Sequence, residues 1–257
     1  MGRVRIIAVA NQKGGVGKTT TSINLSACLA EAGKRVLVID ADPQGNTTSG
    51  LGLDKNDIED TIYNIMLGEK SIEETVKKTC VEGLYIVPSN ISLTGAEIEL
   101  IGKDSREFIL KENIEKISNN YDFILIDCPP SLNIITINAL VASDTVLVPI
   151  QCEYFALEGL EQLLHTIGLV RDRLNTSLDI EGIVFTMFDA RTNLSLQVVD
   201  EVKRSLGDSV YRSIIPRNVR LGEAPSHGLP ITLYDSKSKG AESYSLLAEE
   251  LINKEWI

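Results

Sequence analysis

Lys13-Gly14-Gly15-Val16-Gly17-Lys18-Thr19-Thr20 lies between an apolar run, residues 4–10, and a helical pattern that begins at Thr19 and reaches about Ala32. The run reads as a buried strand. A glycine-rich turn between a strand and a helix aims successive backbone N–H groups, and the positive end of the helix dipole, at one point in space. That makes a cradle for a di- or triphosphate. Gly14, Gly15, Val16, Gly17 and Thr20 supply its backbone. Lys18 can set its ammonium on the β/γ-phosphates, and the Thr19 hydroxyl can ligand a magnesium ion. The common form of this loop has a glycine five residues before Gly17. Here that position is Gln12, and Lys13 stands directly before the glycines.

Outward from the loop, strand-like and helix-like segments alternate through the chain. Strands are expected at 6–10, 35–39, 84–87, 123–126, 145–150, 182–188 and 211–215, most of them continuous Val/Ile/Leu runs of the kind that parallel strands covered on both faces require. Helices are expected at 19–32, 106–117, 134–142, 157–173, 196–206 and 242–252. Strands separated by helices of this length imply right-handed crossovers. The fold class is therefore α/β: a doubly wound, mostly parallel sheet with helices on both faces, as in P-loop NTPases. Residues 50–81 read as an irregular polar insertion with short helical stretches. No linker divides the 257 residues, so a single domain over 1–257 is expected.

Composition narrows the setting. Hydrophobic residues at 43% and charged ones at 24% suit a globular protein, and no run of eighteen apolar residues suggests a membrane span. The N-terminus runs into a strand without a signal-peptide pattern, and a cytoplasmic location is expected. Cys28, Cys80, Cys128 and Cys152 are scattered and are expected to be reduced and buried. The net charge of −11 means that the molecule as a whole repels nucleic acid, so any binding to DNA needs a local patch.

In doubly wound sheets ligands sit beyond the carboxyl ends of the strands. Three candidate segments end there: 40–46, 127–131 and 216–218. Asp127 can hold a magnesium-bound water opposite Thr19, the alternative being a helix cap or surface acid. Asp42 can orient or deprotonate a water attacking the γ-phosphate, the alternative being a turn-forming Asp before Pro43. Asp40 lies closer to the strand interior and reads as structural. Lys13 either reaches the nucleotide of a second subunit, supplying charge in trans, or is a surface lysine.

The Lys13–Thr20 stretch resembles the deviant Walker A motif of the ParA/MinD group of ATPases. Segments 40–45, 127–131, 151–154, 189–193 and 216–220 look like its ParA/Soj chromosome-partitioning branch, and the similarity runs over essentially the whole chain. The resemblance implies ATP and Mg2+ as cofactors and ATP hydrolysis as the reaction. It implies that Lys13 marks a face-to-face ATP-sandwich homodimer, that Asp42 serves hydrolysis, and that Pro216 and Asn218 lie near the adenine. It also implies a ParB-like partner, non-specific DNA binding by the ATP-bound dimer, and a nucleoid-associated location. The N-terminal helix-turn-helix common in plasmid-borne members is not expected here.

The charge pattern bears on the DNA expectation. Residues 189–239 hold eight Lys/Arg against six acids, a small surplus in an acidic chain. The resemblance points to Arg191 and Arg220 as phosphate contacts, with Lys203 and Arg204 beside them; on charge alone these are solvated arginines and lysines. A MinD-like membrane-positioning ATPase is the alternative. It would need a basic amphipathic C-terminal helix, whereas Tyr244, Leu247, Ala248 and Leu251 are flanked by Glu242, Glu249, Glu250 and Glu255 against one Lys254. Core packing accounts better for that stripe, and Trp256 reads as a terminal packing residue. An iron–sulfur carrier of the nitrogenase-iron-protein type would need bridging cysteines, and an ATP-dependent ligase would need a small-substrate pocket that the sequence does not reveal.

Overall fold

The structure, a computed structural model, describes residues 3–153 and 156–254. In chain order its first half runs β1 (Arg5–Val9), α1 (Lys18–Glu31), β2 (Val36–Asp40), α2 (Asn46–Gly50), α3 (Ile62–Leu67), α4 (Ile72–Thr75), β3 (Lys77–Lys78), β4 (Leu84–Val87), α5 (Leu93–Glu99), α6 (Ile109–Ile117) and β5 (Phe123–Asp127). The second half runs α7 (Ile134–Ala142), β6 (Thr145–Gln151), α8 (Ala156–Arg173), β7 (Asp179–Phe188), α9 (Asn193–Leu206), β8 (Val210–Pro216), α10 (Val219–Glu223), α11 (Ile231–Tyr234) and α12 (Lys239–Asn253).

The strands form one sheet in the order β3-β4-β2-β5-β1-β6-β7-β8. All pairings are parallel except β3 with β4. β1, which feeds the glycine-rich loop, is flanked by β5 and β6, so that loop opens near the middle of the sheet's carboxyl edge.

The pleat sends alternate side chains to opposite faces. Leu37 and Ile39 of β2 and Ile124 and Ile126 of β5 pack on the side of α3 and α5–α9; Val36, Val38, Phe123 and Leu125 pack on the side of α1 and α12. Both faces are therefore covered, which accounts for the continuous apolar runs in the sequence. Carrying the alternation one residue further places Asp40 and Asp127 on the α1 side. The two are register partners at the carboxyl ends of adjacent strands.

Several boundaries differ from those expected, one because of a long-range contact and two because of local side-chain caps. The α6 helix starts at Ile109 rather than Arg106, because Asn138 of α7 reaches across to take the Arg106 carbonyl at 2.8 Å and the Leu110 amide at 3.1 Å. The α9 helix begins at Asn193, three residues earlier than expected, where the Thr192 side chain caps the Ser195 amide. The α12 helix begins at Lys239, capped by Ser238. Its Tyr244, Leu247, Ala248 and Leu251 are buried in the α1-side core, as expected. Of the cysteines, Cys28, Cys128 and Cys152 are buried, but Cys80 is exposed, because it follows the two-residue edge strand β3. Tyr154 and Trp256 lie outside the described residues. No described helix is long and apolar enough to cross a membrane.

Candidate nucleotide site

The loop after β1 has the geometry of an anion cradle. Gly15 and Gly17 hold φ of +75° and +87°, a left-handed backbone that L side chains rarely adopt. A Cβ on Gly14 or Gly15 would meet nothing within 4 Å, so the space beside these two residues is open. Gly17 is the N-cap of α1 and provides no side-chain cap, which leaves the first-turn amides of a 14-residue helix for an external acceptor. The far side of the loop is tied down by the Thr186 hydroxyl of β7, which donates to the Val16 carbonyl at 2.7 Å.

Lys18 is buried at 7% exposure, and its ammonium donates to the Lys13 carbonyl at 3.1 Å. Burial lowers its pKa, against the opposing pull of Asp127. A buried ammonium aimed along such a loop is a counter-charge suited to phosphate oxygens.

Asp127 sits opposite, at 1% exposure. It accepts from Thr19 Oγ1 at 2.9 Å, Ser22 Oγ at 3.0 Å and Thr47 Oγ1 at 2.7 Å. Asp40, fully buried, accepts from the Thr48 amide and hydroxyl at 2.8 and 2.7 Å, and from the Asp42 amide at 3.2 Å. Burial pushes both carboxyls upward, and the charge of Asp127 pushes Asp40 further. The residues present fit a magnesium-bound nucleotide: a hydroxyl and a carboxylate 2.9 Å apart beside an open amide cradle offer the hard oxygen donors that this ion takes. Asp42 is half-buried on the loop after β2, where its carboxylate takes the Gln44 amide at 2.9 Å in a turn.

Lys13 does not lean over its own loop. Its amide is held by Asn11 Oδ1 at 2.9 Å, Asn11 is itself anchored to the Pro149 carbonyl, and the Lys13 ammonium lies 2.6 Å from Glu153 Oε2 beyond β6.

A cleft of about 470 Å³ adjoins the loop, lined among others by Gly17, Thr20, Pro216, Asn218, Leu221 and Tyr244. Its wall is mostly apolar, with the Asn218 side chain capping α10 at the Arg220 amide. Pro216 and Asn218 are thus brought beside the cradle, where a base could lie.

The basic candidates divide. Arg191 follows β7 and Arg220 follows β8, and the two segments are joined where the Arg217 amide meets the Phe188 carbonyl. Both arginines are exposed and paired, Arg191 with Asp189 through two hydrogen bonds of 2.7 and 2.8 Å, and Arg220 with Glu223 at 2.8 Å. Lys203 and Arg204 lie in the last turn of α9, about 15 Å along the helix axis from its start and toward the opposite end of the sheet. There Lys203 lines a separate cleft with Arg212 and Lys254. The structure joins the segments that carry Arg191 and Arg220 and leaves Lys203 and Arg204 at the other end of α9.

Sequence reading passed over Asn11, Ser22, Thr47, Thr48 and Thr186, and it placed Glu153 in a segment of family resemblance without giving it a role. The one local signal was Asn46-Thr47-Thr48, a run of small polar residues after Gly45 and between two acids that end strands.

Comparison with known proteins agrees with this geometry. A family model described as an AAA domain matches residues 4–180. The sporulation initiation inhibitor protein Soj of Bacillus subtilis is 60% identical over 247 residues, covering 96% of this chain and 98% of that one. The chromosome partitioning protein ParA of Myxococcus xanthus is 54% identical, covering 98% and 89%. Among solved structures, cobyrinic acid a,c-diamide synthase from Mycobacterium smegmatis with bound ATP analog and magnesium superposes with a TM-score of 0.86 at 38% identity, covering 97% and 94%. The doubly wound fold, the magnesium–nucleotide cofactor and the relatives converge, and the chain belongs to the ParA/Soj family of chromosome-partitioning ATPases.

Proposed function

We propose that this protein is an ATP-driven DNA-partitioning switch. The carrying observation is the assembled corner of Lys18, Thr19 and Asp127 at the open glycine cradle, which suits Mg-ATP. In this reading the amides of Gly14–Thr20 and the Lys18 ammonium bind the phosphates, and Pro216 and Asn218 flank the adenine. Thr19 and Asp127 hold the metal ion, which supplies charge neutralisation on the β/γ-phosphates. Asp42 orients the attacking water. The Lys13 ammonium, turned outward onto Glu153, crosses to the nucleotide of a second copy and completes a sandwich homodimer. That dimer lays Arg191 and Arg220, doubled by symmetry, on DNA phosphates without sequence preference, with Lys203 and Arg204 as more distant contacts. Hydrolysis, stimulated by a ParB-like partner, dissolves the dimer and frees the DNA, and the protein cycles on and off the nucleoid.

The test is DNA retention titrated with salt in ATP, ADP and no nucleotide, beside light scattering and liposome sedimentation. Wild type should dimerise and bind DNA only with ATP, with affinity falling steeply as salt rises. Lys13→Ala should bind ATP yet stay monomeric, Asp42→Ala should lock the ATP dimer, and Arg191→Glu should dimerise without holding DNA. ATP-dependent liposome binding without DNA binding would replace this reading with a MinD-like one. A synthase reading has one observation in its favour, the 38% identity to the Mycobacterium smegmatis protein. ATP turnover that depends on added cobyrinic acid and not on DNA would establish it.

A further inference from the structure

Two acids end neighbouring strands in register, and two consecutive threonines meet them: Thr47 bonds to Asp127 and Thr48 to Asp40, each at 2.7 Å. Both threonines are fully buried. Asp40 also takes the Asp42 amide, so one carboxylate ties together both ends of the loop 41–48 that carries Asp42. The tie is tight: Gly45 within it holds φ of +60°, and a Cβ there would come 2.7 Å from the Ser89 carbonyl. The Thr48 hydroxyl in turn accepts the Ser89 amide at 2.9 Å, fastening the loop to the end of β4.

Thr47 has a different neighbour. Thr19 and Thr47 donate to the same oxygen, Asp127 Oδ2, at 2.9 and 2.7 Å. Thr19 belongs to the nucleotide loop, while Thr47 belongs to the segment that carries Asp42. One carboxylate oxygen therefore stands between the two. Its capacity as an acceptor is finite, and a divalent cation held by Thr19 and Asp127 draws on the same lone pairs.

We infer that Thr47 is a positioning residue that couples metal binding at Thr19 and Asp127 to the setting of the Asp42 loop. Thr47 holds the loop to Asp127 Oδ2 when that oxygen is otherwise engaged only by Thr19, and its hold changes when the oxygen serves magnesium. Asp40 is the fixed hinge about which residues 42–48 reset. This inference rests on the nucleotide-switch reading and adds to it the route by which the site and the hydrolytic loop communicate.

The test is amide hydrogen exchange with a non-hydrolysable ATP analogue, in magnesium or in EDTA. A hydrogen bond to a charged acceptor corresponds to about a tenfold change in local opening. Wild type should show a magnesium-dependent change of that size in residues 42–50, together with protection of residues 14–20. Thr47→Val should keep the protection of 14–20 and lose the magnesium dependence of 42–50, and Thr47→Ser, which restores the hydroxyl, should recover it. Thr47→Ala carries the same test if the valine variant does not fold. Retained magnesium dependence in the hydroxyl-free variant overturns the inference while leaving the nucleotide site standing, and so does a serine variant that behaves like valine. Loss of protection at 14–20 in Thr47→Val also overturns it, by making Thr47 a general support of the site. Absence of protection at 14–20 in wild type removes the nucleotide reading itself.

Discussion

Two buried acidic clusters occupy opposite ends of the sheet, and they differ in what surrounds them. At the amino end, Glu181 of β7 accepts Arg5 Nη2 and the Thr145 hydroxyl at 2.8 Å and the Tyr211 hydroxyl at 3.0 Å, with the Lys254 ammonium 3.6 Å away. Burial works against its ionisation, but Arg5, Thr145 and Lys254 outweigh burial and hold the carboxyl below its usual range. At the carboxyl end, Asp127 and Asp40 are equally buried, but their hydrogen-bond partners are hydroxyls and backbone amides, and both carboxyls are raised. A carboxylate matched by cations of its own fold is a clamp. A carboxylate surrounded by hydroxyls keeps its attraction for a cation that arrives with a ligand.

The contrast can be broken at either end. The largest effect is expected at the clamp. Glu181→Ala leaves Arg5 and Lys254 without that carboxylate and should cost about 3–5 kcal/mol in a urea titration, with nucleotide affinity of the folded fraction unchanged. A cost under about 1 kcal/mol would mean that the cluster is not a clamp. Next comes Asp127→Asn, which keeps the shape and removes the charge. The magnesium-dependent part of ATP-analogue affinity should fall by about 10²-fold, read by fluorescence with magnesium and with EDTA, while thermal stability without ligand holds or rises. Equal affinity in both conditions for wild type and variant would dissociate Asp127 from the metal ion.

The smallest effect sharpens the comparison through pH. Asp40 has a folded pKa raised above its unfolded value, so the folded chain binds that proton more tightly than the unfolded chain does. Its contribution to stability is therefore present below the ordinary carboxylate range and is lost as pH rises through about 7, where the raised value lies. Asp40→Asn abolishes this term. The melting temperature of the variant minus that of wild type should therefore increase from acid to mildly alkaline pH, by the equivalent of about 1 kcal/mol or more. A flat difference would mean that Asp40 titrates normally.

How much of this was legible in the sequence follows from the range of the interactions. The P-loop, the alternation of apolar runs and helices, and the placing of Asp42, Asp127 and Asn218 at strand ends are local or periodic features, and they read directly. The short helices α2, α10 and α11, at four or five residues, are too brief to show a period, and α5, at seven residues, lies between the strand expected at 84–87 and the helix expected at 106–117, where no element was expected. Ser22, Thr47 and Thr186 act through partners 105, 80 and 170 residues away, a separation that no local pattern encodes. Asp40 read as structural, and its burial agrees. What the sequence could not display is that its partners are the two ends of the loop bearing Asp42.

The shared register of Asp40 and Asp127 has a consequence for which changes the chain can tolerate. Because the pleat alternates with a period of two, deleting one residue between Val36 and Ile39 would turn Asp40 to the face of the sheet where Leu37 and Ile39 now pack, and the corner would lose a wall without losing a single polar side chain. Extra residues in the exposed turn around Asn56 and Asp57 would leave that parity intact. The length of β2 is therefore fixed by the corner it ends in, whereas the length of the exposed turn at 56–57 is not.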